Sequence, residues 1–361
     1  MTHSGPNLHE AQTVIVGVDT HKHMHVAVAI DSRGVRLGAH SFGADVEGYR
    51  ALLAWAKAYG GIEAVGIEGT GGYGVGLSRT VRRAGHRVVE VNRTDRRLRR
   101  AAGKSDTIDA EAAARAVLAG QATATPKTAD GAVEMMRQLK VARDSAVKAR
   151  TTAMSTLKQI LVNAPPVLRE PLQALTDRAL VTRCAGLRPG PLDTPVASGK
   201  HTLRALARRW LTLADEITTH DRHLARLTAE TSPTLREGFA VGANTAAAML
   251  IVFGDNPERI RSEAAFAKLC GACPIPASSG MTTGRHRLYR GGHRQANAAL
   301  HRAVVVRMRY HQPTVDYVVR RRAEGRTKRD IIRCLKRFLA REIYQRVMTD
   351  FRTRQQLSEA S

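Results

Sequence analysis

The sequence predicts a chain of two characters, an α/β domain built on a mixed sheet followed by an all-α remainder. Three observations predict it. Short β-branched runs alternate with glycine turns over the first 120 or so residues, an apolar seam of seven-residue period occupies the middle, and the last third is alanine-rich and basic.

In the first part, residues 14–19, VIVGVD, form a β-branched run that ends in a carboxylate. Residues 24–30, MHVAVAI, alternate before the turn Asp31-Ser32-Arg33-Gly34. Two antiparallel strands follow from this, with a third at 35–42. A helix from Val46 to Tyr59 carries Leu52, Leu53 and Ala56 on one face. A buried strand AVGIE (64–68), a glycine turn, a helix over 75–84 and a strand RVVEV (87–91) complete a β-β-β-α-β-α-β order. That order suits the ribonuclease-H-like group of mixed sheets flanked by helices. The stretch DTIDAEAAARAVLAG (106–120) reads as a helix closed by Gly120, and the Pro- and Thr-rich ATATPKTADG (122–131) as a boundary. The first domain is therefore placed at 1–125.

Beyond the boundary, Met136, Leu139, Ala142, Ala146, Ala149, Ala153, Leu157 and Ile160 are spaced by three or four. A second helix is sharper: Leu203, Leu206, Trp210, Leu213, Ile217, His220, Leu224 and Leu227 alternate steps of three and four. Such a seam predicts a coiled-coil arm over 126–230, made with the first helix or with another chain, or ordinary packing inside a helical bundle. His220 reads as a polar residue that sets its register. The last part, 231–361, opens on the glycine turn Val241-Gly242-Ala243 before an alanine-rich helix, a geometry able to offer backbone N–H groups to a phosphate. It closes on a segment from Arg320-Arg321-Arg322 to Arg346 that reads as one amphipathic helix with a basic outer face or a solvated one.

The 57 Lys and Arg stand against 32 Asp and Glu, a net charge of +25 over 361 residues. This excess argues for a polyanionic partner and against an enzyme of small neutral metabolites. No run approaches the roughly 18 apolar residues needed to span a bilayer, and the N-terminus lacks a secretory pattern, so no membrane partner and a cytoplasmic location are expected. Four scattered cysteines fit a reducing compartment. Cys270 and Cys273 form a CxxC pair without a second pair at zinc spacing, which favours buried thiols.

The chemistry-bearing residues fall into two groups. Asp19 and Glu68 end predicted strands, while Asp106 and Asp109 share one helix face at i and i+3. If the first and fourth strands are neighbours, the four acids converge, and hard oxygen ligands of that kind suit Mg²⁺ or Mn²⁺, with two such ions able to clamp a scissile phosphate. Taken singly, each acid could instead cap a helix or pair with a base, Asp19 with Lys22 or Arg33 for instance. His21, His23 and His25 read as residues beside a nucleic-acid channel and are not assigned to the site. The second group lies in IPASSGMTTGRHRLYRGGHR (275–294), where Ser278 and Ser279 are followed by Arg285, Arg287, Arg290 and Arg294 as candidate nucleic-acid contacts. No His/Asp pair stands near Ser279 at a spacing that reads as a triad, so its activation would have to come from metal.

Taken together, VGVDTHKH, VGIEGTGGYG, KSDTIDA and CGACPIPASSGMTTGRHRLYRGGHRQANAALH resemble the DEDD-type insertion-sequence transposases of the IS one-ten family, in the family's motif order and over nearly the whole length. The resemblance implies a RuvC-like domain with Asp19, Glu68, Asp106 and Asp109 as catalytic metal ligands, preceded at the pair by Lys104. It also implies a coiled-coil region and a transposase domain whose serine nucleophile is Ser279, with Ser278 as the near alternative. Where many relatives carry I-S-K-x-G after the Gly-Arg, this chain has Leu288-Tyr289-Arg290-Gly291-Gly292. The resemblance further implies excision and insertion of the element in double-stranded donor and target DNA. These are selected by a non-coding guide RNA (the bridge RNA), with a 5′-phosphoserine intermediate, Mg²⁺, and homo-oligomers assembling from dimer to tetramer on nucleoid DNA.

The rival readings are a metal-only structure-specific nuclease of RuvC-like type in which Ser279 is idle, an actin-like ATPase whose phosphate loops VGVDT and Glu68–Gly72 imitate, and a non-catalytic DNA-binding module.

Overall fold

The computed structural model describes residues 13–92, 105–278, 286–289 and 291–359. By internal packing the chain divides into two compact units, Met1–Ala129 and Asp130–Ser361.

In the N-terminal unit, β1 (Thr13–Thr20), β2 (Met24–Asp31), β3 (Arg36–Gly43), β4 (Gly61–Glu68) and β5 (Arg87–Val91) form one sheet in the order β3-β2-β1-β4-β5. β1 runs antiparallel to β2 and parallel to β4, and β4 is parallel to β5. The neighbouring placement of the first and fourth strands is thus as the sequence order requires, and the mixed sheet is compatible with the ribonuclease-H-like group. Helices α1 (Val46–Lys57) and α2 (Val75–Arg83) cover one face, closing a core of Val14, Val16, Val18, Leu52, Ile67 and Leu77. Asp45 starts α1 by accepting from Gly48 N–H at 2.8 Å. Helix α3 (Asp106–Leu118) covers the other face through Ala110, Ala113, Ala114 and Val117.

The C-terminal unit is helical. α4 (Ala132–Val162) and α7 (Pro195–Thr231) form an antiparallel pair, joined through α5 (Pro166–Gln173) and α6 (Asp177–Ala185). Leu157 and Leu161 share a core with Leu203 and Ala207, while Met136 at the other end shares one with Leu224 and Leu227. Between these ends Arg143 reaches Asp221 at 2.6 Å, and the Arg150 guanidinium lies 5.3 Å from the Trp210 ring. Within the chain, Leu203, Ile217, Leu224 and Leu227 of the heptad seam are buried, while Leu206, Trp210, Leu213 and His220 are half-buried. Where the sequence reading separates 126–230 from 231–361, packing joins them: α7 runs on to Thr231, and Leu224 and Leu227 of its last turns enter the core of the C-terminal helices.

That core is centred on α9 (Ala243–Phe253), whose residues Ala246 to Phe253 are all buried. It is preceded by the short α8 (Pro233–Arg236) and surrounded by α10 (Glu263–Leu269), α11 (Arg294–Tyr310), α12 (Gln312–Ala323) and α13 (Lys328–Glu359). α9 follows the expected glycine turn but serves as the unit's apolar axis. The basic C-terminal segment is two helices rather than the single one the sequence pattern suggests. Gly325, at φ +76°, ends α12, and Thr327 restarts the chain by accepting from Asp330 N–H at 3.2 Å while donating to its carboxylate at 2.6 Å. Its basic face is also partly neutralised, since Arg337 and Arg341 hold Glu263 at 3.0 and 2.7 Å.

Candidate active site

The position of the acids follows from two glycines. Gly17 and Gly66 lie opposite each other in the β1–β4 register, each two residues before a carboxylate, Asp19 and Glu68. The strand period of two puts each glycine and its acid on one face. A Cβ at Gly17 would stand 2.0 Å from the Ala110 carbonyl oxygen, and one at Gly66 would stand 2.7 Å from a Val117 methyl. The bare glycines therefore let α3 lie directly on the sheet, so that its first turn, with Asp106 and Asp109, arrives at the C-terminal ends of β1 and β4. Such strand ends are where open α/β sheets place their chemistry.

There, Asp19 and Asp106 are joined by a residue that sequence reasoning left aside. His21 Nε2 lies 3.2 Å from Asp19 Oδ2 and 3.3 Å from Asp106 Oδ2. One donor atom from each of Asp19, His21 and Asp106 falls within 4.8 Å of the others. Asp109 is buried one turn further along α3. Glu68, half-buried on the adjacent strand, stands beside this cluster rather than in it, and its carbonyl accepts from Thr20 Oγ1 at 2.7 Å. Lys22 and Arg33 are not the partners of Asp19, and Asp106 is the first residue of its helix rather than the N-cap, which is Ser105. His23 sits in the β1–β2 turn, exposed. His25 is fully buried in β2 and stacks on Tyr49 at 5.6 Å, and burial holds it below the usual histidine range.

The electrostatics are unbalanced. Burial pushes the Asp19 carboxyl above its usual value; the nearby His21 opposes the rise, and the charges of Asp106 and Asp109 add to it. Asp19 and Asp106 with the His21 imidazole form a donor set of hard oxygens plus a nitrogen, and the nearby Asp109 adds negative charge. That set fits a divalent cation such as Mg²⁺ or Mn²⁺.

The second group lies in the C-terminal unit. Short strands β6 (Pro274–Pro276) and β7 (His286–Leu288) pair antiparallel, Ile275 opposite Arg287, and form the base of the serine-bearing hairpin. Ser278 is exposed just beyond β6, and Arg287 and Arg294 are exposed as well. Ser279, Arg285, Arg290 and Lys104 lie outside the described residues. Cys270 is buried, its thiol pushed up to about 12 by burial, as in an apolar core position.

Residues 16–166 match a transposase model of the DEDD type, named for IS110, and residues 232–319 match the transposase IS116/IS110/IS902 family. The chain belongs to the IS110 family of transposases. Together the two matches cover about two thirds of it, the first spanning all four acids and the second spanning the hairpin. Among curated proteins none matches. The transposase is thus a DNA recombination enzyme whose two matched regions coincide with the two residue groups above. Among the described residues no helix is long and apolar enough to cross a membrane.

Proposed function

We propose that this transposase excises and inserts its own insertion-sequence element through a 5′-phosphoserine DNA intermediate formed by Ser279, with a divalent ion, Mg²⁺ or Mn²⁺, held by Asp19, Glu68, Asp106 and Asp109. The observation that carries this reading is the gathering of Asp19, Asp106 and Asp109 at the end of β1, with His21 Nε2 set between the Asp19 and Asp106 carboxylates.

The ion, when bound, supplies Lewis-acid activation of the phosphate and stabilises charge on its oxygens. Asp19 is fixed by the strand and Asp106 by the helix on Gly17 and Gly66, so the ligands are positioned before substrate arrives, as low-reorganisation catalysis requires. The Ser279 Oγ forms a bond to phosphorus as the bond to the 3′ oxygen breaks, and the 3′ hydroxyl leaves with a proton. One phosphate ester is exchanged for another, so the step is close to isoenergetic and can be reversed on a new 3′ end. Arg285, Arg287, Arg290 and Arg294 flank the serine and neutralise phosphate charge.

We further propose that donor and target duplexes are selected by a non-coding guide RNA, and that the chain acts in the bacterial cytoplasm, on the nucleoid, as a homo-oligomer, a dimer that pairs into a tetramer. The seam of α4 and α7 reads as its coiled-coil region and the N-terminal unit as its RuvC-like domain. The net charge of +25 supports two polyanionic partners. The test uses a plasmid carrying the element with its flanking non-coding segment. Purified transposase, Mg²⁺ and the transcript of that segment should yield recombinant junctions, lost on chelation and on omission of the transcript. Junctions formed without the transcript would contradict RNA guidance, and junctions formed in chelator would contradict the metal site.

A further inference from the structure

The C-terminal unit holds a buried cation with no counter-charge among the described residues. Lys336, on α13, is 8 % exposed, and its Nζ donates to Asn297 Oδ1 at 2.8 Å. Asn297 is itself fixed: its Nδ2 donates to the carbonyls of Cys270 and Gly271 at 2.9 and 3.0 Å, which turns Oδ1 toward the lysine. The turn beneath it is tight, since a Cβ on Gly292 would lie 2.2 Å from Gly271 N. Burial pulls Lys336 below the usual lysine range, with no carboxylate acting against it. Among the described residues one neutral acceptor serves one of its three N–H groups, and a desolvated ammonium in that state is costly unless an anion joins it.

Lys336 opens onto a cavity of about 1010 Å³ at the foot of the β6–β7 hairpin, shared with Arg287, Arg294, Asn297, His301 and Arg333. No carboxylate is among its described lining residues. Arg333 is paired with Asp330 at 3.0 Å, whereas Arg287 and Arg294 have no carboxylate partner among the described residues. The first turn of α11 also lines the cavity, adding the positive end of a 17-residue helix.

We propose that this cavity is a phosphodiester site, in which the Lys336 ammonium, oriented by Asn297 and flanked by Arg287 and Arg294, grips a DNA backbone phosphate beside the serine hairpin. The DNA assignment rests on reading that hairpin as the one that attacks DNA: Ile275 and Arg287, register partners in its ladder, line the cavity, and the chain runs from β6 directly into Ser278. Lys336 is a positioning and binding residue, not one that exchanges protons with the substrate.

The test uses the full-length, metal-free protein and two probes: inorganic phosphate, against chloride at matched ionic strength, read as a shift in Tm, and a short fluorescein-labelled DNA duplex titrated at several salt concentrations. Lys336→Met keeps the stem's volume and removes the charge. It should abolish the phosphate-specific rise in Tm and reduce the slope of log K against log salt by about 0.9, one phosphate contact. Lys148→Met, at an exposed position on α4, should leave the phosphate effect intact. Retention of the phosphate effect in Lys336→Met overturns the site. Loss of that effect with an unchanged DNA salt slope, or a change in salt slope confined to an RNA duplex of the same length, overturns the DNA assignment. If Lys336→Met does not fold, Arg294→Gln, at an exposed position, takes its place with the same readouts, and the same results support or overturn the site. Ser279→Ala should match wild type in both, so failure of the serine reading is seen separately.

Discussion

Two partly buried carboxylates, one in each unit, shift in opposite directions although burial acts upward on both. Burial pushes Asp19 up, the charges of Asp106 and Asp109 add to the rise, and among the described residues His21 opposes it. For Glu342 burial also acts upward, but hydrogen bonds and charge from Arg307, followed by Arg346, hold it below the usual range. Arg307 meets it with both guanidinium nitrogens, at 2.6 and 3.0 Å. The same desolvation yields a structural ion pair where arginine is supplied and an unsatisfied anionic site where it is withheld. Lys336 is the converse, a buried cation from which carboxylates are withheld. Among the described residues no arginine pairs with Asp19, as the proposed cation site there requires.

The largest expected effect is on activity. Asp19→Asn should lower DNA strand transfer by roughly a thousandfold or more, the loss of several kcal/mol of transition-state stabilisation. Near-normal transfer would leave Asp19 without a catalytic role and favour a non-catalytic DNA-binding module.

Next is the structural pair. Glu342→Gln leaves Arg307, whose side chain is 10 % exposed, without its counter-charge, and should cost about 3 kcal/mol in urea unfolding. Because Glu342 is held low, its contribution is present above the unfolded-state value of about 4.3 and is lost as pH falls through its depressed folded value. The cost of the substitution should therefore shrink in acid.

Metal addition should act on the other unit. Mg²⁺ or Mn²⁺ at a hundred times its Kd should stabilise the wild type by about 2.7 kcal/mol, and Asp19→Asn/Asp106→Asn not at all. Equal stabilisation of both proteins would place the ion elsewhere.

The smallest effect has the opposite sign. Asp19 is held high, so its contribution to stability is present below the unfolded-state value of about 3.9 and is lost as pH rises through its folded value. Metal-free Asp19→Asn should therefore melt slightly above wild type near neutral pH, with the difference vanishing in acid. A lower Tm at neutral pH would show that Asp19 is a structural residue like Glu342.

Much of this was legible in the sequence where local pattern decides. The alternation of MHVAVAI and the carboxylates closing VGVD and VGIE place strands and acids without tertiary information, and the β1–β4 adjacency follows from element order. His21 was not legible, because its contact with Asp19 and Asp106 depends on how the β1–β2 turn brings it back over its own strand end. Lys336 was not legible either: it is one of 57 basic residues, and only the packing of α13 on α11 buries it. The two-residue spacing of Gly17 to Asp19 and Gly66 to Glu68 was a usable signal for where α3 lies. It becomes readable once close helix approach is recognised as the reason for a glycine in mid-strand.

The central claim, that a serine and a distant set of acids act in one reaction, is tested most directly by a covalent adduct. Wild type, Ser278→Ala, Ser279→Ala and Asp19→Asn are each incubated with a labelled duplex bearing the element's end, the guide transcript and Mg²⁺, then resolved on a denaturing gel and mapped by peptide mass. The account predicts a protein–DNA adduct at Ser279 in wild type and Ser278→Ala, with neither adduct nor cut strand in Ser279→Ala or Asp19→Asn. Strand cutting by Ser279→Ala without an adduct would contradict it and leave a metal-only nuclease.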